Sequence, residues 1–177
     1  MTKTLWIFGY GSLIWDPGFA PAEVRRAWLR GWHRSFCMRS IHFRGTPEAP
    51  GLVLALDASP DAVCAGLAFR VAEPEADEVL ACLRARELVS DAYLEHQLPV
   101  TCEEGETFEA ITYVIDREGP QYCALDLEEQ ARIIAHAIGG RGPNRDYLFN
   151  TAAHLTELGL ADPDLDWLSA RVRELTR

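Results

Sequence analysis

The order in which hydrophobic periods follow one another constrains this chain most. Leu5 to Gly9 reads as a short buried strand that ends in a glycine-bearing bend, Gly9-Tyr10-Gly11-Ser12. Trp28 to Arg39 alternates aromatic and polar residues and reads as a strand. Leu52 to Leu56 and Val63 to Val71 read as two further strands, separated from the first by Arg44 to Gly51, whose prolines and glycines are loop chemistry. The period then switches. Across Pro74 to Arg86, Val79, Leu80 and Leu83 share one face of a helix. His96 to Cys102 and Phe108 to Ile115 form a strand pair turning around Gly105. The rest is mostly helical. Asp126 with Glu129 is a capping box, with Gly139 as the stop. Asn144 opens a second helix as its cap, through about Leu158, and Asp162-Pro163 opens a third. In that third helix Leu165, Leu168, Val172 and Leu175 form a stripe suited to core packing. Strands, one helix, strands, then helices is not a steady β-α alternation. The expected class is therefore α+β, or an irregular mixed barrel, rather than a doubly wound sheet.

With 177 residues the chain fits one domain, 1–177. A domain of that length buries about 70% of its unfolded surface and needs no disulfide or metal staple. The formal charge of −10 argues against a nucleic-acid or anionic-membrane surface, because both call for a positive footprint. No apolar stretch approaches the ~20 residues of a membrane span. The N-terminal run is broken by Gly9, Gly11 and Ser12 and lacks the pattern of a signal peptide. Cys37, Cys64, Cys82, Cys102 and Cys123 are odd in number and contain no C-x-x-C pair, which reads as free thiols in a reducing cytoplasm.

Three features bear on chemistry. The bend from Gly9 to Ile14 is not a dinucleotide fingerprint, since Ile14 stands where a third glycine is needed. It is not a nucleophile elbow either, because Ser12 lacks the flanking glycines. What remains is a turn able to show consecutive backbone N–H groups to a carboxylate or an oxyanion; pattern alone favours a plain turn. Glu87, just past the Pro74–Arg86 helix and followed by Leu88 and Val89, has the setting of a partly desolvated general base. Composition alone favours a solvated or arginine-paired glutamate, one of 27 acidic residues. Arg44, in a loop beside Gly45, is suited to clamp a carboxylate, or is a surface charge. Gly139 to Asn144 serves equally as an anion site or as a turn between helices. None of the five histidines has metal-ligand spacing, so no metal is expected.

Four separated stretches, in order, resemble the ChaC family: Phe8 to Trp15 (FGYGSLIW), Arg44-Gly45-Thr46-Pro47 with Pro50-Gly51, Arg86-Glu87, and Gly142 to Leu148 (GPNRDYL). ChaC proteins are glutathione-specific γ-glutamylcyclotransferases. The resemblance implies a small mixed α/β barrel with C-terminal helices. It implies cleavage of glutathione into 5-oxoproline and Cys-Gly by attack of the substrate's own α-amine, with no metal and no cofactor. It assigns the proton acceptor to Glu87 and the glutamyl-binding turn to Gly9, Tyr10, Gly11, Ser12, Leu13 and Ile14. It also assigns substrate contacts to Arg44 and Tyr147 and, through a looser match, Tyr93. Some members carry an acidic residue where Ser40 stands here. The alternatives are another γ-glutamyl amino acid or amine as substrate, or a non-catalytic regulatory protein linked to cation transport. The resemblance does not imply an oligomeric state.

Overall fold

The computed structural model describes residues 4–88 and 92–177. Five strands close a barrel: β1 (Leu5–Gly9), β2 (Glu23–Ser40), β3 (Gly51–Val71), β4 (Tyr93–Cys102) and β5 (Thr107–Ile115). Their order around it is β1-β3-β2-β4-β5, with a further β3–β5 pairing. The expected α+β class and mixed barrel are what the chain adopts: β1 runs antiparallel to β3 and parallel to β5. The contacts divide the chain into two compact units, Met1–Arg34 with Leu56–Gly119, and Ser35–Ala55 with Pro120–Arg177.

In the first unit the hydrophobic run of β1 buries Ile7 and Phe8 completely. The register Leu5↔Val71 to Gly9↔Leu67 carries β1 along β3 to the bend. β4 and β5 form the expected hairpin, in register from Tyr93↔Ile115 to Thr101↔Thr107. The single helical turn α1 (Ser12–Trp15) follows β1, and α2 (Ala76–Glu87), entered through a 3-10 turn at Glu73–Glu75, follows β3. Of the expected α2 face, Val79 and Leu83 are buried and Leu80 is half-buried.

The second unit holds α3 (Leu127–His136), a two-strand ribbon β6 (Ile138–Gly139) with β7 (Gly142–Pro143), α4 (Asn144–Glu157) and α5 (Pro163–Leu175). Asp126 caps α3, its side chain accepting the Glu129 N–H, and Asp162 caps α5 by accepting from Asp164 and Leu165. Ile134, Leu148, Leu155, Leu165 and Val172 fill the core among these helices with Phe36, Leu52 and Leu54.

Three readings are corrected. Residues 52–56 and 63–71 are not separate strands: β3 runs unbroken over 21 residues. Asp57, Ser59, Pro60 and Asp61 have turn chemistry, but β3 is hydrogen-bonded to β2, and that partner overrides local preference. Arg117 ties this stretch down, donating to Asp57 Oδ1 and to the Ala58 carbonyl. Gly139 does not stop α3, which ends at His136; Gly139 pairs with Gly142 in the ribbon. Asn144 is not a cap but the first residue of α4, after Pro143 at the cap position.

Candidate active site

The glycine turn sits where β1 leaves the barrel. The strand end lies so close on β3 that a Cβ on Gly66 would stand 2.4 Å from the Gly9 carbonyl oxygen. Beyond Gly9 the chain makes one helical turn. The Ile14 N–H donates to Gly11 O at 3.0 Å and the Asp16 N–H to Ser12 O at 2.7 Å. Ile14 therefore spends its donor inside the turn. The N–H groups of Ser12 and Leu13 open the helix and have no carbonyl four residues back within it. Leu13 and Ile14 are buried, so their side chains belong to the core. Gly11 has φ −136° and needs no left-handed conformation.

Several side chains clamp this turn. Tyr10 Oη donates to Tyr113 O at 2.5 Å, and Thr112 Oγ1 donates to Phe8 O at 3.1 Å. The parallel pairing Ile7↔Ile111 places both partners alongside. Arg34 Nη1 donates to Tyr10 O at 3.2 Å. From α2, Arg86 donates through Nη2 to Ser12 Oγ at 3.1 Å and through Nη1 to Asp16 O at 2.6 Å. Arg86 also lines an open cleft of about 320 Å³ with Pro17, Phe19, Cys82 and Leu83.

Glu87 is the last residue of α2. Its side chain is 14% exposed and pairs with Arg86, Nε to Oε1 at 3.4 Å. Arg86 therefore touches both Ser12 and Glu87, which brings the turn and the carboxylate into one polar cluster. Of the following residues, Leu88 is exposed, and Val89 lies outside the described residues, so its part in desolvating Glu87 is not seen. Tyr113, buried, donates its hydroxyl to Glu95 Oε1 at 3.0 Å, and Arg84 grips Glu95 through both Nε and Nη2. Burial, then the charge of Glu95, its hydrogen bond and the charge of Glu87, drive the Tyr113 phenol above its ordinary range. It stays protonated and serves as a donor. The Arg84 hydrogen bonds hold the Glu95 carboxyl below the usual carboxylate range, against its partial burial. Tyr93, half-buried, starts β4 opposite Ile115.

Arg34, Glu95 and Tyr113 were not singled out in the sequence. Arg34 is one of five arginines in β2, and its burial and its bonds to the Tyr10 and Ala65 carbonyls, not its neighbours in the chain, set it apart from Arg25, Arg26, Arg30 and Arg39.

Arg44 and Tyr147 meet in the second unit. The Arg44 N–H donates to Ser40 Oγ at 3.0 Å, so the serine hydroxyl closes this loop. The following residue must be glycine, since a Cβ on Gly45 would lie 2.0 Å from Gly51 N. The Arg44 side chain is buried, donates to Pro143 O at 3.1 Å and lies 5.7 Å from the centre of the Tyr147 ring. Burial lowers its guanidinium pKa from the ordinary value. Two residues of α4 attach to the start of β3. Asn144 exchanges two hydrogen bonds of 2.7 Å with the backbone of Leu52, and Tyr147 Oη accepts the Leu54 N–H at 3.1 Å.

Among the described residues no group of three or more His, Cys, Asp or Glu is arranged to hold a metal ion. No helix among them is long and apolar enough to cross a membrane. The five cysteines are free thiols.

The family model of ChaC-like proteins matches residues 5–175. The chain belongs to the ChaC family. It is 37% identical over 173 residues to the glutathione-specific γ-glutamylcyclotransferase of Escherichia coli, covering 97% of this chain and 74% of that one. It is 35% identical to the enzyme of the same description from Schizosaccharomyces pombe, over 97% of this chain and 93% of that one. Among solved structures, the selenomethionine-labelled γ-glutamyl cyclotransferase specific to glutathione from yeast superposes with a TM-score of 0.89. That match covers 99% of this chain and 97% of the other at 22% identity, and confirms the fold.

Proposed function

We propose that this ChaC protein is a γ-glutamylcyclotransferase that cleaves glutathione into 5-oxoproline and Cys-Gly. The observation that carries the reading is the Arg86 bridge, which couples a helix-opening glycine turn to the Glu87 carboxylate. The names borne by the relatives from E. coli and S. pombe support the substrate.

The reaction is an internal aminolysis. The substrate's α-amine attacks its own γ-carbonyl carbon, forming the ring C–N bond, and the bond to the cysteinyl nitrogen then breaks. Glu87 accepts the proton released by the attacking amine and returns one to the departing amine of Cys-Gly, so it ends as it began. Folding the substrate so that amine and carbonyl meet supplies up to ~7–11 kcal/mol in well-oriented cases. The oxyanion of the tetrahedral intermediate is received by N–H groups at Gly11 to Leu13, and loss of one such donor typically costs roughly 3–4 kcal/mol. No bond in this scheme requires a metal or redox cofactor. Glu87 shares Arg86 with the turn, which supports it as the carboxylate for proton transfer in this scheme. For Arg44, Tyr93 and Tyr147 a substrate-holding role rests on the family resemblance. A cytoplasmic place of action fits the free thiols, which persist in a reducing compartment.

Product analysis tests the reading. Incubation with reduced glutathione is expected to release 5-oxoproline and Cys-Gly in equal amounts. Preferential release from a γ-glutamyl amino acid would move the substrate to another γ-glutamyl compound, and inertness toward every γ-glutamyl donor would overturn the enzyme.

A further inference from the structure

Arg34 occupies an unusual place for an arginine. It is only 5% exposed, and its Nη1 donates to two backbone carbonyls, Ala65 O at 2.7 Å and Tyr10 O at 3.2 Å, with Cys64 Sγ at 3.6 Å. Burying a guanidinium is costly unless its donors are used, so this placement selects for the bonds it makes. One of those bonds ends on the peptide that joins Tyr10 to Gly11.

In a trans peptide the C=O and the N–H point in opposite directions. Whatever holds the Tyr10 carbonyl on one face of the turn holds the Gly11 N–H on the other. A peptide ahead of glycine reverses easily, because glycine accommodates backbone angles closed to other residues. Reversal would replace a donor by a carbonyl oxygen at the point where negative charge is to be received. Tyr10 is anchored through its ring as well, by Oη to Tyr113 O, but that bond fixes the side chain and leaves the peptide plane undetermined.

We infer that Arg34 is a positioning residue that locks the Tyr10–Gly11 peptide with the Gly11 N–H presented to the oxyanion. The inference rests on the cyclotransferase reading above. Arg34 touches no reacting atom; it acts through the turn. The oxyanion exists only in the transition state and intermediate, so losing the lock lowers kcat while substrate binding is kept. An arginine that merely supported the barrel would affect stability and leave kcat per folded molecule unchanged.

The experiment measures 5-oxoproline release and thermal melting for wild type, Arg34→Met and Arg34→Lys. Arg34→Met keeps the aliphatic bulk and removes the guanidinium bonds, those to the Tyr10 and Ala65 carbonyls included. Its kcat is expected to fall at least ~10-fold, below the ~10²–10³ typical of deleting an oxyanion donor outright, with KM within about 3-fold of wild type. Arg34→Lys keeps the charge and a donor at shorter reach, and its kcat is expected to lie between the two. A wild-type kcat in folded Arg34→Met, or a raised KM with kcat intact, overturns the inference. Should Arg34→Met fail to fold, Arg34→Lys decides: a kcat lowered about 3-fold or more at unchanged KM supports it, and a wild-type kcat overturns it. Failure of the cyclotransferase reading is distinct, because there wild type itself releases no 5-oxoproline, and the inference falls with it.

Discussion

The glycine turn after β1 and the Arg44-Gly45 loop before β3 are both glycine-bearing bends in the sequence, and each is tied by a buried or half-buried arginine. They spend their polar groups differently. At the loop, Asn144 saturates the backbone of Leu52, Tyr147 receives the Leu54 N–H, and Arg44 lies against Pro143 O and the Tyr147 ring. These bonds close the fold on itself. At the turn, Arg34 and Arg86 bind carbonyls and a hydroxyl, so they occupy acceptors of the turn and none of its N–H groups. A polar motif can thus be spent on the fold, as at the loop, or be held for the reaction, as proposed for the turn. The distinction lies in which of its atoms the protein has already used.

The sharpest break between the two regions is expected from Glu87→Gln. It preserves size and removes the proton acceptor, so turnover should fall ~10²–10⁴-fold with the melting temperature nearly unchanged. Product assay beside a melt checks this; more than a tenth of the wild-type rate at saturating glutathione would remove Glu87 from proton transfer.

Asn144→Ala should show the opposite signature. It strands the N–H and C=O of Leu52 in a fully buried site, and each unsatisfied group costs about 1–3 kcal/mol. Denaturant unfolding should report a loss on the order of 2–5 kcal/mol. A variant as stable as wild type would contradict the scaffold assignment.

Tyr147→Phe sharpens the comparison further. Loss of the Leu54 bond alone predicts a stability loss of about 1–3 kcal/mol with KM unchanged. A raised KM for glutathione would establish the substrate contact that the family resemblance implies.

Ser12→Ala should do less. It removes the Arg86 bond to Oγ but leaves every N–H of the turn in place, so kcat/KM should fall by less than ~10-fold. Mass spectrometry of wild type quenched during turnover should find no glutamyl adduct on Ser12. An adduct there would replace internal aminolysis by an acyl-enzyme.

The smallest effect concerns Arg84 and Glu95. The folded-state pKa of Glu95 lies below its unfolded value, chiefly through the Arg84 hydrogen bonds. The stabilisation is therefore complete above the unfolded carboxylate pKa, about 4.3, and is lost as pH falls through the lower folded value. Arg84→Met should be slightly less stable than wild type at pH 7, with the difference shrinking toward pH 3. A difference that persisted undiminished in acid would show that the ion pair is not its source.

Much of the site was readable as a list of residues. The bend at Gly9 to Ser12, the helix beside Glu87, the loop at Arg44 and the caps at Asp126 and Asp162 follow from local rules: glycine spacing, the 3.6-residue period and short-range capping bonds. These signals survive because the interactions behind them lie within a few positions of one another. β3 shows where that ends. Its turn-like centre, 57–61, stays extended within a strand that is hydrogen-bonded to β2, a partner outside the local sequence window.

The sequence by itself determined the class, the residues on which chemistry could rest and most of the succession of elements, apart from the unbroken β3, the α1 turn and the β6–β7 ribbon. Tertiary structure alone decided what those residues do for one another. It turned Asn144 from a cap into a clamp on β3 and joined Ser12 to Glu87 through Arg86. It also drew Arg34, 24 positions from Tyr10, onto the peptide of the turn. The physical reason is that a buried hydrogen bond depends on distance in space and on the absence of competing water, and both are settled only when the barrel closes.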